Sequence, residues 1–405
     1  LPYPYKNVEL VQNGIQATFE YTFHEIDRDG VFFSHTPPYT YTDCLNLCNY
    51  LENKLAFDPD IYFRRELLYH SYEGRRIELL TITAHNQEYL KYPDKSFECE
   101  PIIQGLFPNH NYQPNQVTSY NNRHTHRPFI FHNRKYIFLT ARIHAGEAPS
   151  NHMLQSLILK LVDKNDLMSK ALLEHCVFVI IPMLNPDGVY RGHYRMNLFN
   201  VDLNTVYHHP DPKMHEGPYA AVQIAHSIKD RLYFYIDFHS HAVKNSGFLF
   251  SNFPDEWEKK TEIRLFGRLM DIYSPFFNYN DCGFTKPAKG NPGVAKSTIG
   301  RITGCLHCYT FETSYFTSTK DPYRYDPMHN PKHEMYRVVK SRLGLQEFYQ
   351  LGDAVRHTLA EMLGLHPHSI LNQTLFGNKE GLKKWIDSDL KKKLKIKEEE
   401  KEDKP

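Results

Sequence analysis

No apolar run in this sequence is long. The longest, over residues 136–140 and 177–183, fall well short of the roughly 20 residues that a membrane-crossing helix needs. Nor is there an excess of one charge. The 48 Lys and Arg stand against 47 Asp and Glu, so a formal net charge of +1 offers no overall field to draw nucleic acid or a lipid surface. An acidic partner would have to be met by a local basic pocket. The opening Leu-Pro-Tyr-Pro-Tyr lacks the basic-then-apolar order of a secretion signal, and with no initiator Met it reads as the start of a processed or trimmed chain. Seven Cys, odd in number and irregular in spacing, argue against a disulfide framework and for a reducing compartment. Internal repeats are missing too. These absences leave a cytoplasmic protein with no nucleic-acid or membrane partner as the expectation. Microtubule or nuclear association and the oligomeric state stay open.

What is present suffices for a large core, since 41% of the 405 residues are hydrophobic. Residues 1–45 are rich in Tyr, Phe, Thr and Pro, and residues 16–23 alternate as a half-buried strand should. Too few strands are available for a sandwich, so 1–45 are expected to form a partial N-terminal β domain. A helix over 43–54, paired strands within 64–83 around the Glu73-Gly74 turn, and a polar loop over 104–128 follow. From residue 135 onward, strands (135–142, 176–183, 233–238, 306–312) alternate with helices (150–161, 216–232, 261–273). Such alternation predicts an α/β fold: an open mixed, largely parallel sheet with helices on both faces, here spanning residues 46–370. A helical stretch over 332–364 is expected to break at Gly344 and Gly352. The charge run within 371–405 is expected to be a solvated, partly helical tail.

Open sheets of this kind bind ligands beyond the carboxyl ends of their strands. Three of these strands end in His144, His239 and Glu312. His144 and Glu147 lie just past one strand, with Gly146 between them to let the chain turn. A hydrolytic zinc site takes three ligands of the His, Glu and Asp types and keeps a fourth position open. His239 supplies a third candidate, and so does His241, because residues two apart on a strand share a face. The residues alone do not separate the two. The 24 His of the chain favour metal chemistry without locating it.

Around these positions the chain carries ordered motifs from about residue 41 to about residue 364. They include Asp60–Leu68, Leu79–Thr83, His144-Ala145-Gly146-Glu147, Pro182–Val189, Arg191–Arg195, Asp202-Leu203-Asn204, Ile236–His241 and Tyr309–Glu312. This set resembles the zinc carboxypeptidases of the funnelin clan, and within them the cytosolic carboxypeptidases. Residues 191–195 and the 64–68 region look most like the subgroup that removes branch-point glutamates from tubulin tails.

The resemblance implies a single Zn2+ held by His144, Glu147 and His239, with Glu312 as the general base. It implies that Arg195 stabilises the oxyanion with the metal, and that Asn204 holds the substrate's terminal carboxylate. For an acidic side chain it implies a basic residue just before the Glu312 strand; Lys296 and Arg301 are the candidates, Arg301 matching the family's Gly-Arg pair better. Acidic polypeptide tails, tubulin among them, are the implied partners.

The chain also departs from its relatives. Thr205 stands where they carry the arginine that grips the C-terminal carboxylate with a bidentate, charge-assisted pair. A threonine offers one neutral hydrogen bond at most, so the same resemblance admits a catalytically impaired relative that binds acidic C-terminal tails. Ala145 stands for a usual proline, and residues 293–304 look shorter than their counterparts. The Cys305-Leu306-His307-Cys308 pair lacks the second pair of a zinc ribbon and reads as core thiols.

Overall fold

The computed structural model describes residues 7–11, 14–18, 20–31, 33–87, 91, 97–109, 116–117, 126–284, 293–319 and 341–402. They divide into two compact units, residues 1–35 and 36–405. In the first, strands β1 (Asn7–Val11) and β2 (Gly14–Thr18) pair as an antiparallel hairpin, and Tyr21 packs edge-on against Phe23 and Phe33.

The second unit opens with helix α1 (Tyr41–Leu55), started by Thr40 and Asp43, which cap each other's backbone N–H. This helix runs through the expected boundary at 45/46, and Cys48, Leu51 and Leu55 on one of its faces enter the main core. Strands β3 (Ile61–His70) and β4 (Arg76–Ala84) form the expected hairpin. Short strand β6 (Gln116–Val117), inside the segment read as loop, pairs with β5 (Phe97–Glu98), which precedes that segment.

Strands β7 (Lys135–Ala141), β8 (Cys176–Ile181), β9 (Leu232–His241), β10 (Gly247–Ser251), β11 (Gly283–Phe284) and β12 (His307–Ser314) complete the main sheet. Its order is β11-β10-β12-β9-β7-β8-β4-β3. The central four, β12, β9, β7 and β8, run parallel; β4 and β3 are antiparallel to their neighbours, and β10 is antiparallel to β12 but parallel to the edge strand β11. Both faces are covered. Ile137 and Leu139 turn to one core, packed by helices Ala148–Leu161, Trp257–Tyr273 and Leu345–Leu363. Phe138 turns to the other, packed by residues of helices Glu216–Ser227 and Ala295–Thr303. Burial on both sides explains why β7 and β8 read as continuous apolar runs rather than alternating ones.

Two expectations about the C-terminal part change. Helix Leu345–Leu363 starts just after Gly344 but runs straight through Gly352. A Cβ there would lie 2.0 Å from the Met153 carbonyl oxygen, so this glycine permits close helix packing rather than a break. Residues 332–340 lie outside the described residues. The charged tail forms helix Lys379–Glu402, and its first turns are not solvated: Leu382 and Ile386 are buried in the main core.

Candidate metal centre

Strand β7 ends at Ala141, and the next residues turn under the sheet's carboxyl edge. The turn is tight because Gly146 N–H donates to the Tyr194 carbonyl at 2.7 Å, where a Cβ on residue 146 would lie 2.5 Å from that oxygen. It delivers His144 and, three residues on, Glu147. Strand β9 beside it delivers His239, and β12 beside β9 places Glu312 in register with His239. Three neighbouring parallel strands thus bring all four side chains to one place.

Their geometry is close. His144 Nδ1 lies 2.7 Å from Glu147 Oε1 and 3.2 Å from His239 Nδ1, and His239 Nδ1 lies 3.1 Å from the other Glu147 oxygen. Among the described residues this is the group of His, Cys, Asp and Glu able to hold a metal ion, its donor atoms all within 4.8 Å of one another. Two imidazole nitrogens and one carboxylate oxygen are a zinc donor set that leaves a coordination position open. His241 stays out: its Nδ1 accepts from the backbone N–H of Val243 and Lys244.

Each imidazole is gripped from behind. His144 Nε2 meets Asp202 Oδ1 at 3.1 Å, and His239 Nε2 meets Asp237 Oδ2 at 2.8 Å. Both rings are thereby held with Nδ1 toward the cluster, the arrangement in which a carboxylate behind a metal-binding histidine fixes its orientation. Burial alone would lower the pKa of these rings; for His239, Asp237 and Glu147 outweigh it, and for His144, Glu147 and Asp202 do. Glu147 and Asp202, though desolvated, are held well below the usual carboxylate range by those imidazoles. An anionic pocket of this kind favours a bound cation.

Glu312 completes the cluster. Its Oε2 is enclosed and has no hydrogen-bond partner among the described residues. Burial pushes this carboxyl up to about 7, against the pull of the His239 ring and with the push of Glu147. Arg195 reaches the same place, Nε and Nη2 each 2.8 Å from Asp202 Oδ2 and Nη1 3.4 Å from His144 Nδ1. Asn204 lies on the adjoining turn, its Oδ1 accepting from Ala295 N–H at 3.4 Å. Thr205 donates its hydroxyl to the Asp202 carbonyl at 2.8 Å.

The two basic candidates part company. Lys296 is half-buried in the first turn of helix Ala295–Thr303, and burial lowers the pKa of its ammonium. Arg301, five residues on, is exposed. Cys305 and Cys308 are free, buried thiols. Neither Asp237 nor Asp202 stands out in the sequence as the support of an imidazole. The pattern Asp237-Phe238-His239 held the signal, since residues two apart on a strand share a face.

Fold and cluster together define a metallohydrolase-like α/β domain. Residues 48–244 match the zinc carboxypeptidase family, peptidase M14, and form a domain of that family. Human cytosolic carboxypeptidase 6 is 30% identical over 72% of this chain and 50% of its own length. The Caenorhabditis elegans protein of that name is 32% identical over 71% and 54%. Human cytosolic carboxypeptidase-like protein 5 is 24% identical over 93% and 52%. The chain thus spans about half the length of the curated relatives it matches. In fold it is similar to a metallo-carboxypeptidase from Burkholderia cenocepacia (TM-score 0.57, 18% identity, 81% of this chain and 70% of that one). A metallo-carboxypeptidase from Pseudomonas aeruginosa gives 0.56 at 18% identity, over 81% and 70%. No helix among the described residues is long and apolar enough to cross a membrane.

Proposed function

We propose that the protein is a zinc metallocarboxypeptidase that removes glutamate from acidic polypeptide tails, polyglutamylated tubulin being the favoured substrate. One observation carries the reading: a His-Glu-His donor cluster lies beside Glu312 on the next strand, a carboxylate whose Oε2 is enclosed and has no hydrogen-bond partner among the described residues. His144, Glu147 and His239 would hold the metal. Bound there, zinc would supply Lewis acidity toward a carbonyl oxygen and lower the pKa of a water. Glu312 then takes a proton from the attacking water and returns it to the leaving amine. Arg195 donates to the oxygen on which negative charge develops. Asn204 orients the terminal carboxylate, and Lys296 faces an acidic side chain as its counter-charge. The cytosolic carboxypeptidase relatives support hydrolysis at protein tails, and the motifs at 191–195 support the branch-point preference.

Thr205 favours a second reading, a protein that binds acidic tails and cuts them poorly, since the arginine that would grip a free C-terminal carboxylate is missing. The test is glutamate release by zinc-loaded protein from polyglutamylated tubulin and from linear and branched glutamyl peptides. Release should exceed that of Glu312→Gln by roughly a hundredfold or more. Release no faster than that control on every substrate, with peptide binding retained, establishes the second reading instead.

A further inference from the structure

Arg142 stands two residues before His144 in a conformation that disfavours any side chain. Its φ is +60°, the left-handed region in which glycine is at ease and other residues are strained. It carries a second cost. The side chain is buried at 5% exposure, and among the described residues no carboxylate lies within ion-pair distance of its guanidinium. A glycine would remove both costs, so the side chain must return something to the fold around it.

Its contacts show what. Nε donates to the carbonyl of Ala145, the residue that follows His144 in the turn toward Glu147, at 2.8 Å. Nη1 donates to Asn151 Oδ1 at 2.9 Å, in the first turns of helix Ala148–Leu161. The Asn151 amide in turn donates to the Pro182 carbonyl, one residue beyond the end of β8, at 2.7 Å. One rigid, planar fork therefore ties the metal-binding turn to the helix behind it and to the neighbouring strand end.

We propose that Arg142 is a positioning residue for the metal centre: it fixes the turn between His144 and Glu147 and so presets the spacing of two of the three donors. The proposal rests on His144, Glu147 and His239 being the metal site. Preset donors bind metal more tightly than donors that must be ordered at binding, and groups that orient ligands without touching the metal typically contribute about tenfold to a hundredfold in affinity.

Zinc affinity measured by chelator competition on Arg142→Gly and Arg142→Lys decides it, with the melting temperature of the metal-free proteins recorded beside it. Glycine relieves the backbone and removes the fork; lysine keeps charge and much of the length but replaces the rigid planar fork with a single flexible ammonium. The expected result is that Arg142→Gly binds zinc about tenfold or more weakly than wild type, with Arg142→Lys between them. In both, kcat should fall further than KM rises. Should Arg142→Gly fail to fold, weakened zinc binding by Arg142→Lys supports the proposal in its place. Zinc binding within about twofold of wild type in the variants that fold overturns the proposal, even where the melting temperature drops. Wild-type protein that takes up no zinc overturns the metal reading itself, and this proposal with it.

Discussion

Asp237 Oδ2 lies 2.8 Å from His239 Nε2, while its Oδ1 accepts the hydroxyl proton of Thr140 at 2.7 Å. Thr140 sits on β7 in register with Asp237 on β9, and both are fully buried. The hydroxyl of Tyr235 lies 2.9 Å from Thr140 Oγ1, which extends the chain of hydrogen bonds beneath the cluster. A buried carboxylate with no Lys or Arg within ion-pair distance among the described residues is costly to keep, and here it is used to aim an imidazole. Replacement of Asp237 by Asn should therefore weaken zinc binding by about tenfold to a hundredfold while the protein stays folded. Thr140→Val should weaken it less, and Thr140→Ser should restore it. Equal zinc affinity across these variants and the wild type would show that His239 needs no support.

Thr205 lends itself to a gain-of-function test. Its side chain is spent on the Asp202 carbonyl, and a Cβ on Gly293 would lie 1.9 Å from the Thr205 carbonyl oxygen, so the turn is tightly set. A Thr205→Arg variant adds a bidentate donor beside Asn204, where the resemblance puts the carboxylate grip. Activity on linear peptides with a free C-terminal glutamate should rise roughly tenfold in kcat/KM, the worth of one charge-assisted hydrogen bond. An unchanged rate means that another group holds that carboxylate.

The site was largely legible because its residues sit at strand ends. His144, Glu147 and Glu312 each follow a run whose apolar character marks a buried parallel strand, and residue type did the rest. His239 and His241 were not separable from pattern, since both share a strand face; the backbone N–H groups that capture His241 come from a loop whose path the sequence does not reveal. Arg142 was illegible for a related reason. A positive φ has no local signature when the residue is not glycine. Gly352 misled in the opposite sense, because nothing in a sequence shows that Met153 passes within 2.0 Å of where its Cβ would be. In the last helix, Leu382, Trp385, Ile386 and Leu390 form an apolar stripe, but the lysines and glutamates around them dominate the composition.

That stripe makes the last helix part of the domain. Leu382 is wholly buried, Trp257 Nε1 donates to Asp387, and Lys383 pairs with Glu262 at 2.9 Å. The Arg268 guanidinium lies over the Trp385 ring at 4.5 Å. Leu382→Ala should cost about 2–5 kcal/mol in urea unfolding, the usual range for a leucine deleted from a core. Removal of residues 379–402 should destabilise further by uncovering helix Trp257–Tyr273. A truncated protein as stable as the full chain would return the segment to the status of a solvated tail.

His307 should set an acid limit on stability. The ring is 4% exposed and stacks on Phe234 with centroids 4.6 Å apart and planes 2° from parallel. Its Nδ1 lies 3.1 Å from the Tyr309 hydroxyl, which itself donates to the Ile263 carbonyl, so the ring nitrogen is the donor and the neutral form is satisfied. Burial pushes its pKa from 6.5 down to about 3, with Lys135 and Lys383 adding to the fall. A folded-state pKa below the unfolded one means that the unfolded chain binds the extra proton first. The stability tied to the neutral ring is therefore complete above about pH 6.5 and is lost as pH falls from there toward 3. His307→Phe keeps the stacking and removes the titration. Its melting temperature should fall less than that of wild type between pH 7 and pH 4.5, and parallel losses in the two proteins would place the acid limit on other groups.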